Sequence, residues 1–185
     1  MLFELAMIPD LKRKPLLTSF WLLTSLLIGG ACGSKREHVA PSPAAISIAP
    51  QSGSGASKSF TIRFSNTSGS DGLIDLRVLI NSELSGAKAC YVYYDLASNS
   101  FLLVNDSGEG STRATLGTGA ATENGQCIVS TAGAASTRNG AETTVSIPIK
   151  FKPSFAGAKN LYLSSSTRDG TAALAAKGTW TVTLE

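Results

Sequence analysis

The sequence predicts an all-β protein, an antiparallel sandwich of about eight strands that follows an N-terminal signal helix. Three observations support this prediction: apolar and polar residues alternate with period two, turn sequences such as Asn124-Gly125 and Asn139-Gly140 separate the alternating segments, and no convincing amphipathic helix follows Ala45. Only 16% of residues are charged, against about 25% in typical soluble domains. Gly, Ser, Thr and Ala take their place, as short strands with many turns require.

Four segments show the alternation most clearly, and each has one apolar face, which is typical of antiparallel sheets packed on one side. Pro148 interrupts the third segment and cannot donate a ladder hydrogen bond, so we expect it at a sheet edge or a bulge. The number of strands favours an immunoglobulin-like or fibronectin-like sandwich over a closed barrel. The apolar positions are Phe60, Ile62 and Phe64; Ile74, Leu76, Val78 and Ile80; Val145, Ile147, Ile149 and Phe151; and Trp180, Val182 and Leu184.

Residues 1–31 have the order of a secretory signal peptide. Basic residues at positions 12–14 precede an apolar stretch from Leu16 to Ile28, and the small residues Gly29-Gly30-Ala31 follow. The apolar stretch is shorter than the roughly 20 residues that span a bilayer, and Ser and Thr interrupt it. An uncleaved transmembrane helix is the alternative interpretation.

The segment Leu27-Ile28-Gly29-Gly30-Ala31-Cys32 resembles the lipobox of bacterial lipoproteins, in which this cysteine is acylated and becomes the mature N terminus. Gly29 departs from the pattern, because the family usually has Leu there. The resemblance implies that Cys32 carries a lipid and that the membrane is a partner. In lipoproteins, an Asp directly after the acylated cysteine is associated with retention in the inner membrane. Gly33 stands at that position here, which favours a location in the cell envelope at the outer membrane. Cleavage by an ordinary signal peptidase, which would give a secreted protein, is the alternative.

Residues 32–45 are first polar and then rich in Pro and Ala, which predicts an extended, flexible linker between the lipidated Cys32 and a β-sandwich domain at 46–185. The linker also holds His38, the one histidine of the chain. Net charge beyond residue 31 is +2, since the leader contains three basic and two acidic residues. Basic residues are scattered singly there, so nucleic acid is not an expected partner.

Cysteine parity predicts a disulfide between Cys90 and Cys127. The chain has only one further cysteine, Cys32, and an exported protein seldom keeps a free thiol. Acylation of Cys32 leaves an even pair, and bridging a loop of this length contributes roughly 3 to 4 kcal/mol in a chain-entropy argument. Two buried free thiols are the alternative. The wide spacing of the cysteines and the position of His38 do not indicate a zinc site.

Several segments carry a family resemblance: Cys90-Tyr91-Val92-Tyr93-Tyr94-Asp95-Leu96-Ala97-Ser98-Asn99, Gln126-Cys127, residues 151–160, and Gly178-Thr179-Trp180-Thr181-Val182. Together they resemble a largely uncharacterised immunoglobulin-like β-sandwich domain found in secreted bacterial proteins of acidobacterial type, and they cover most of residues 46–185. In that family the two cysteines and the final Trp strand recur together. The resemblance therefore implies that Cys90 and Cys127 belong to one structural unit, but it brings no established activity.

The sequence contains no recognisable catalytic machinery. It lacks a Gly-x-Ser-x-Gly elbow, a His-Glu-x-x-His motif and a phosphate-binding glycine loop, and a Ser-His-Asp hydrolase would have to use His38 in the linker. We therefore expect no enzyme, no cofactor and no metal. A calcium site at Asp71 and Asp75 is disfavoured, because a hard cation needs six or more oxygen ligands and too few acids cluster there.

Paired carboxylates are the main alternative, because a secreted glycoside-type hydrolase needs only two acids at the right separation. The candidates are Asp95, Asp106, Glu83 and Glu109. Asp95 and Asp106 lie beside expected hairpin turns, where Asp commonly bonds its own backbone. This position favours a structural role for both of them.

The segment from Cys90 to Val104 differs from the other strands, because it is apolar or aromatic on both faces. If Cys90 faces the core, then Tyr91 and Tyr93 face outward. Exposed tyrosines stack well on sugars or partner surfaces. Cover by loops, or a central position in the sheet, is the alternative explanation. The sequence thus predicts a non-catalytic binding or structural module with a glycan or protein partner.

Overall fold

The computed structural model describes residues 45–66, 69 and 72–184, and it confirms the all-β sandwich. The signal segment, Cys32, His38 and Asp71 lie outside the described residues, as does the linker up to residue 44. Within the described part, no helix has the length and apolar character to cross a bilayer.

The described residues form fourteen strands, where the alternation predicted about eight. Four strands have four residues or fewer, which is too short to display a period-two pattern. A single 3₁₀ turn, Pro153–Phe155, interrupts the strands. The strands are β1 (Ala45–Ala49), β2 (Ser52–Ser54), β3 (Ser57–Ser65), β4 (Leu73–Asn81), β5 (Cys90–Asp95), β6 (Ser100–Val104), β7 (Ser111–Thr115), β8 (Ala121–Glu123), β9 (Cys127–Ser130), β10 (Ala135–Asn139), β11 (Glu142–Phe151), β12 (Gly157–Thr167), β13 (Gly170–Thr171) and β14 (Ala175–Val182).

Two sheets make up the sandwich. The six-stranded sheet has the order β1-β3-β11-β9-β8, with β10 also paired to β11. The eight-stranded sheet has the order β2-β14-β12-β4-β5-β6-β7, with β13 also paired to β12. The pairings are antiparallel except that β2 runs parallel to β14.

The core lies between the sheets, where the apolar face of each strand is buried. Phe60, on the six-stranded sheet, meets the ring of Trp180 from the eight-stranded sheet edge to face, with 5.2 Å between ring centroids. Edge-to-face contact is a preferred arrangement of aromatic rings. Apart from Leu79, which points to the outer face, the largest fully buried side chains lie in this core: Phe60, Ile62, Phe64, Leu76, Val78, Ile80, Phe101, Leu103, Ile147, Leu161 and Leu163.

Two apolar residues assigned to the core by the alternation are exposed instead. Ile74 is 46% exposed, because β4 carries one extra residue relative to β12 and the resulting bulge turns Leu73 into the core in its place. Leu184 is 67% exposed, since it follows the end of β14 at Val182. The other predicted core positions of the four segments are buried.

Pro148 lies in an interior strand rather than at an edge or a bulge, which corrects the expectation from sequence. On one side β11 pairs with β3 along its length; on the other, β10 covers residues 142–146 and β9 covers 149–151. The N–H of Phe151 donates to Ala56, on the β3 side of β11. Backbone N–H groups of successive residues point to opposite sides of a strand, so the nitrogen of Pro148 points to the side of β9 and β10. Its missing N–H therefore falls in the gap between these two strands.

The parallel pair of β2 and β14 brings two backbones unusually close. The carbonyl oxygen of Gln51 accepts a hydrogen bond from the N–H of Thr179 at 2.8 Å, and a Cβ at Gly178 would lie only 2.0 Å from the same oxygen. Trp180 Nε1 donates to the carbonyl of Gly55 at 3.0 Å, with its ring against Gly53. Glycine at 178 is therefore required by close approach, and not by its dihedral angles.

We expect Gly178→Ala to lower the free energy of unfolding by about 1 to 3 kcal/mol, because the new methyl group must displace the backbone at Gln51. Urea denaturation followed by circular dichroism measures this loss. Gly72→Ala is the matched control, since a Cβ at Gly72 meets no atom within 4 Å. Equal denaturation midpoints for Gly178→Ala and the parent would contradict the prediction.

Candidate functional site

The disulfide between Cys90 and Cys127 is present, which confirms the prediction from cysteine parity. The two Cα atoms lie 5.6 Å apart, and both cysteines are fully buried. Cys90 begins β5 in the eight-stranded sheet, and Cys127 begins β9 in the six-stranded sheet. The bond therefore joins the two layers of the sandwich.

Asn124 supports the same end of the sandwich through four hydrogen bonds. Its side-chain Nδ2 donates to the carbonyls of Ala89 at 2.8 Å and Val104 at 2.9 Å. Its Oδ1 accepts from the N–H groups of Gln126 at 2.9 Å and Cys127 at 3.0 Å. The sequence identified Asn124 only as a turn residue, but the side chain ties this turn to the start of β5 and the end of β6.

Tyr91 and Tyr93 lie on the outer face of the eight-stranded sheet, as their alternation with Cys90 indicated. Cys90, Val92 and Tyr94 are buried, whereas Tyr91 and Tyr93 are half-buried. Their ring centroids are 4.7 Å apart, with the planes tilted by 38°. The two rings thus form one continuous aromatic surface, part of which solvent reaches.

Leu79 lies beside Tyr91 and accounts for part of the burial of that ring. It points to the same outer face, where it pairs in register with Tyr91 on one side and Tyr162 on the other, yet it is only 1% exposed. Gly86, in the loop after β4, also lies against Tyr91, since a Cβ there would be 3.3 Å from the ring. Loop cover of Tyr91 is therefore partial, and Tyr91 and Tyr162 flank Leu79 on its two sides and shield it from water.

Arg77 fixes the position of Tyr93. Its guanidinium carbon lies 4.7 Å from the Tyr93 ring centroid, within the range of a cation–π contact. Nε and Nη2 donate to the two carboxylate oxygens of Asp75 at 2.6 and 3.0 Å, and Nη2 also donates to Ser166 Oγ at 2.5 Å. Asp75 both holds the guanidinium in place and offsets its charge.

A shallow pocket of about 230 Å³ opens beside Tyr93. Leu102 and Val104 contribute apolar wall, and Ser111 supplies a hydroxyl. The turn that closes the pocket contains Gly108 and Gly110, both at positive φ. A hydrogen bond from Ser107 Oγ to Asn105 Oδ1, 2.7 Å long, stabilises the same turn. The tyrosine face, meaning Tyr91 and Tyr93 with this pocket, thus combines a flat aromatic surface with a small concavity.

Burial of the ring raises the pKa of Tyr91 well above the ordinary value for tyrosine. The neighbouring Tyr93 raises this pKa further, while the positive charge of Arg77 acts in the opposite direction. The Tyr91 hydroxyl consequently stays protonated, and able to donate a hydrogen bond, throughout the physiological range.

The candidate carboxylates occupy separate places. Asp95 accepts a hydrogen bond from Ser98 Oγ at 2.6 Å within its own turn, and Asp106 accepts from the N–H of Gly125 at 2.9 Å. The two acids lie at opposite ends of β6, which is five residues and roughly 15 Å long. Glu83 and Glu109 are exposed outside the strands.

No group of three or more His, Cys, Asp or Glu residues that could hold a metal ion occurs in the described part of the chain. Asp75, one of the two acids considered for calcium, is engaged by Arg77.

Comparison with models of known protein families and with curated proteins found no match to this chain. The resemblance to an acidobacterial-type secreted domain therefore stays a prediction from the sequence. What the site presents is an aromatic surface made of two rings 4.7 Å apart, next to an arginine whose charge Asp75 offsets.

We expect the free energy of unfolding to fall less steeply at alkaline pH in Tyr91→Phe than in the parent. In the parent, the raised pKa of Tyr91 contributes stability that is complete below about pH 10, the ordinary pKa of tyrosine, and is lost as the pH rises above it, because the unfolded state ionises first. Urea denaturation at pH 8 to 11 measures this dependence for both proteins.

The difference between the two proteins at pH 8 serves as the control, because it reflects only the loss of the hydroxyl group. A parallel decline of the parent and Tyr91→Phe above pH 10 would show that Tyr91 does not carry this effect.

Proposed function

We propose that the chain is a cell-envelope lipoprotein whose β-sandwich domain binds a partner, without catalysis, through the tyrosine face. The observation that carries the proposal is the pair of half-buried tyrosine rings, 4.7 Å apart, on the outer face of a sheet. Aromatic rings that are already fixed lose little conformational entropy on binding, so they bind flat ligands efficiently.

A glycan is the partner that this surface favours over a protein. The exposed parts of two half-buried rings provide far less area than the roughly 800 Å² that each protein contributes to a stable interface. The charge of Arg77 is offset by Asp75, so the surface next to Tyr93 suits an uncharged ligand. The adjacent pocket has room for a substituent of a sugar ring, with the Ser111 hydroxyl at its edge.

Anchoring through Cys32 is supported by the lipobox resemblance and by cysteine parity. Because Cys90 and Cys127 form a disulfide, Cys32 is the one remaining cysteine of the chain and is available for acylation. A lipid there and the linker that follows it would hold the domain at the outer membrane while leaving the tyrosine face accessible.

Acylation of Cys32 is tested by mass spectrometry of protein purified from the membrane fraction. The expected mature N terminus is a lipid-modified Cys32, and Cys32→Ser should leave the precursor unprocessed or release the protein from the membrane. A mature N terminus at another residue, or an unmodified Cys32, would show that the protein is exported without a lipid anchor.

Glycan binding is tested by co-sedimentation of the whole chain, in a non-ionic detergent, with peptidoglycan sacculi, chitin and cellulose. We expect Tyr93→Ala to weaken binding about tenfold or more, because it removes a stacking surface, and Tyr93→Phe to keep most of the affinity. Substitution at Tyr93 is preferable to substitution at Tyr91, since Tyr91 is the ring in register with the buried Leu79.

Equal binding by Tyr93→Ala and the parent, with both proteins folded by circular dichroism, would exclude the tyrosine face as the binding site. Release of soluble sugars from these glycans would instead indicate a hydrolase, the alternative that the acidic residues suggested.

A further inference from the structure

We propose a second ligand site, at the opposite end of β5 from Cys90. Its ligand is a molecule that contains both an oxyanion and an adjacent apolar group. The site is a pocket of about 270 Å³ between the start of β4, the turn after β5, the strand β10 and the turn after β12. Its lining residues are Leu73, Ile74, Leu96, Ala97, Arg138 and Arg168.

The two arginines of this pocket differ from the other arginines that the structure describes. Arg63, Arg77 and Arg113 each face a carboxylate, from Glu142, Asp75 and Asp95 respectively. Within residues 45–66, 69 and 72–184, the side chains of Arg138 and Arg168 make neither a hydrogen bond nor an ion pair. The two arginines without a partner therefore line the same pocket, which leaves two guanidinium groups available to one ligand.

The pocket also has an apolar wall, and the backbone holds it in place. The bulge in β4 turns Ile74 outward, so that it is one of three large hydrophobic residues exposed in the described part of the chain. The N–H of Leu96 donates to the carbonyl of Ile74 at 3.1 Å, which fixes the turn after β5 against this wall. An exposed isoleucine beside guanidinium groups that no described residue pairs with favours a ligand with both apolar and anionic parts.

Among the residues that the structure describes, the acidic residues near this end do not pair with the two arginines. The Asp95 carboxylate accepts from the N–H of Ala97 at 3.1 Å and from Ser98, and its nearest cation is Arg113 at 4.0 Å. Asp169 follows Arg168 in the chain, but it does not line the pocket. In the described part of the chain, the guanidinium groups of the pocket are thus left to pair with an anion from outside it.

Guanidinium groups bind carboxylate and phosphate oxygens through paired hydrogen bonds, which identifies the ligand class as an oxyanion. The pocket is slightly smaller than the roughly 300 to 1,000 Å³ of sites for drug-sized ligands, so it suits a headgroup with a short apolar segment. This site is separate from the tyrosine face and does not depend on the proposed glycan binding.

Isothermal titration calorimetry of the whole chain, in a non-ionic detergent, tests the site with hexyl phosphate, hexanoate and inorganic phosphate as probes. We expect hexyl phosphate to bind about tenfold more tightly than inorganic phosphate, because only the ester contacts the apolar wall. Arg138→Gln and Arg168→Gln should each weaken hexyl phosphate about tenfold. Arg63→Gln is the matched control and should leave the affinity unchanged.

Ile74→Ser separates the two parts of the site, since it should weaken hexyl phosphate while leaving inorganic phosphate unaffected. Dihexanoyl phosphatidylglycerol, compared with hexyl phosphate, distinguishes a lipid headgroup from a small free ester as the source of the oxyanion.

Absence of binding by any anionic probe at millimolar concentration would overturn the proposal, as would equal affinities of the parent and the Arg138→Gln, Arg168→Gln double variant. Glycan co-sedimentation of that double variant should equal the parent, so failure here leaves the tyrosine face untouched.

Discussion

The joint between the two sheets, made by the Cys90–Cys127 disulfide and the side chain of Asn124, is the constraint on which the rest of the structure depends. The disulfide closes a sequence separation of 37 residues, for which a chain-entropy argument gives roughly 3 to 4 kcal/mol. Asn124 adds bonds to Ala89 and Val104, at the start of β5 and the end of β6. Together they hold the hairpin of β5 and β6 against the opposite sheet, and this hairpin carries both the core residue Val92 and the outward tyrosines.

The tyrosine face serves stability as well as the binding that we propose. Tyr91 pairs with Leu79 and shields it, so part of each ring is already in use by the fold. Arg77 lies over the Tyr93 ring, and its hydrogen bonds to Asp75 and to Ser166 on β12 hold it there. A surface built in this way is rigid, and rigidity limits the entropy that binding has to overcome. The same arrangement makes the face sensitive to substitution at Tyr91, because this ring lies in register with Leu79 and its removal would expose that leucine.

Much of the fold could be predicted from sequence because its signals are local. Alternation identified the buried faces of β3, β11 and most of β4 and β14, and the position of Cys90 identified the outward side of β5. The exceptions depend on contacts between distant segments. The bulge at Ile74 is a register difference with β12, and the gap that accommodates Pro148 exists only because β9 and β10 meet along β11. Arg138 and Arg168 converge through the same kind of long-range pairing, which a single sequence does not display.

The edges of the eight-stranded sheet have a consequence for behaviour at high concentration. One edge is β2, three exposed residues of sequence Ser-Gly-Ser, and the other is β7, in which only Ala114 is buried. Short polar edge strands offer little apolar surface to a strand from another molecule, and this discourages edge-to-edge aggregation. Trp180 packs against Gly53 and so turns the largest ring near this edge inward. The two edges of this sheet therefore give a second copy of the domain little surface on which to add a strand.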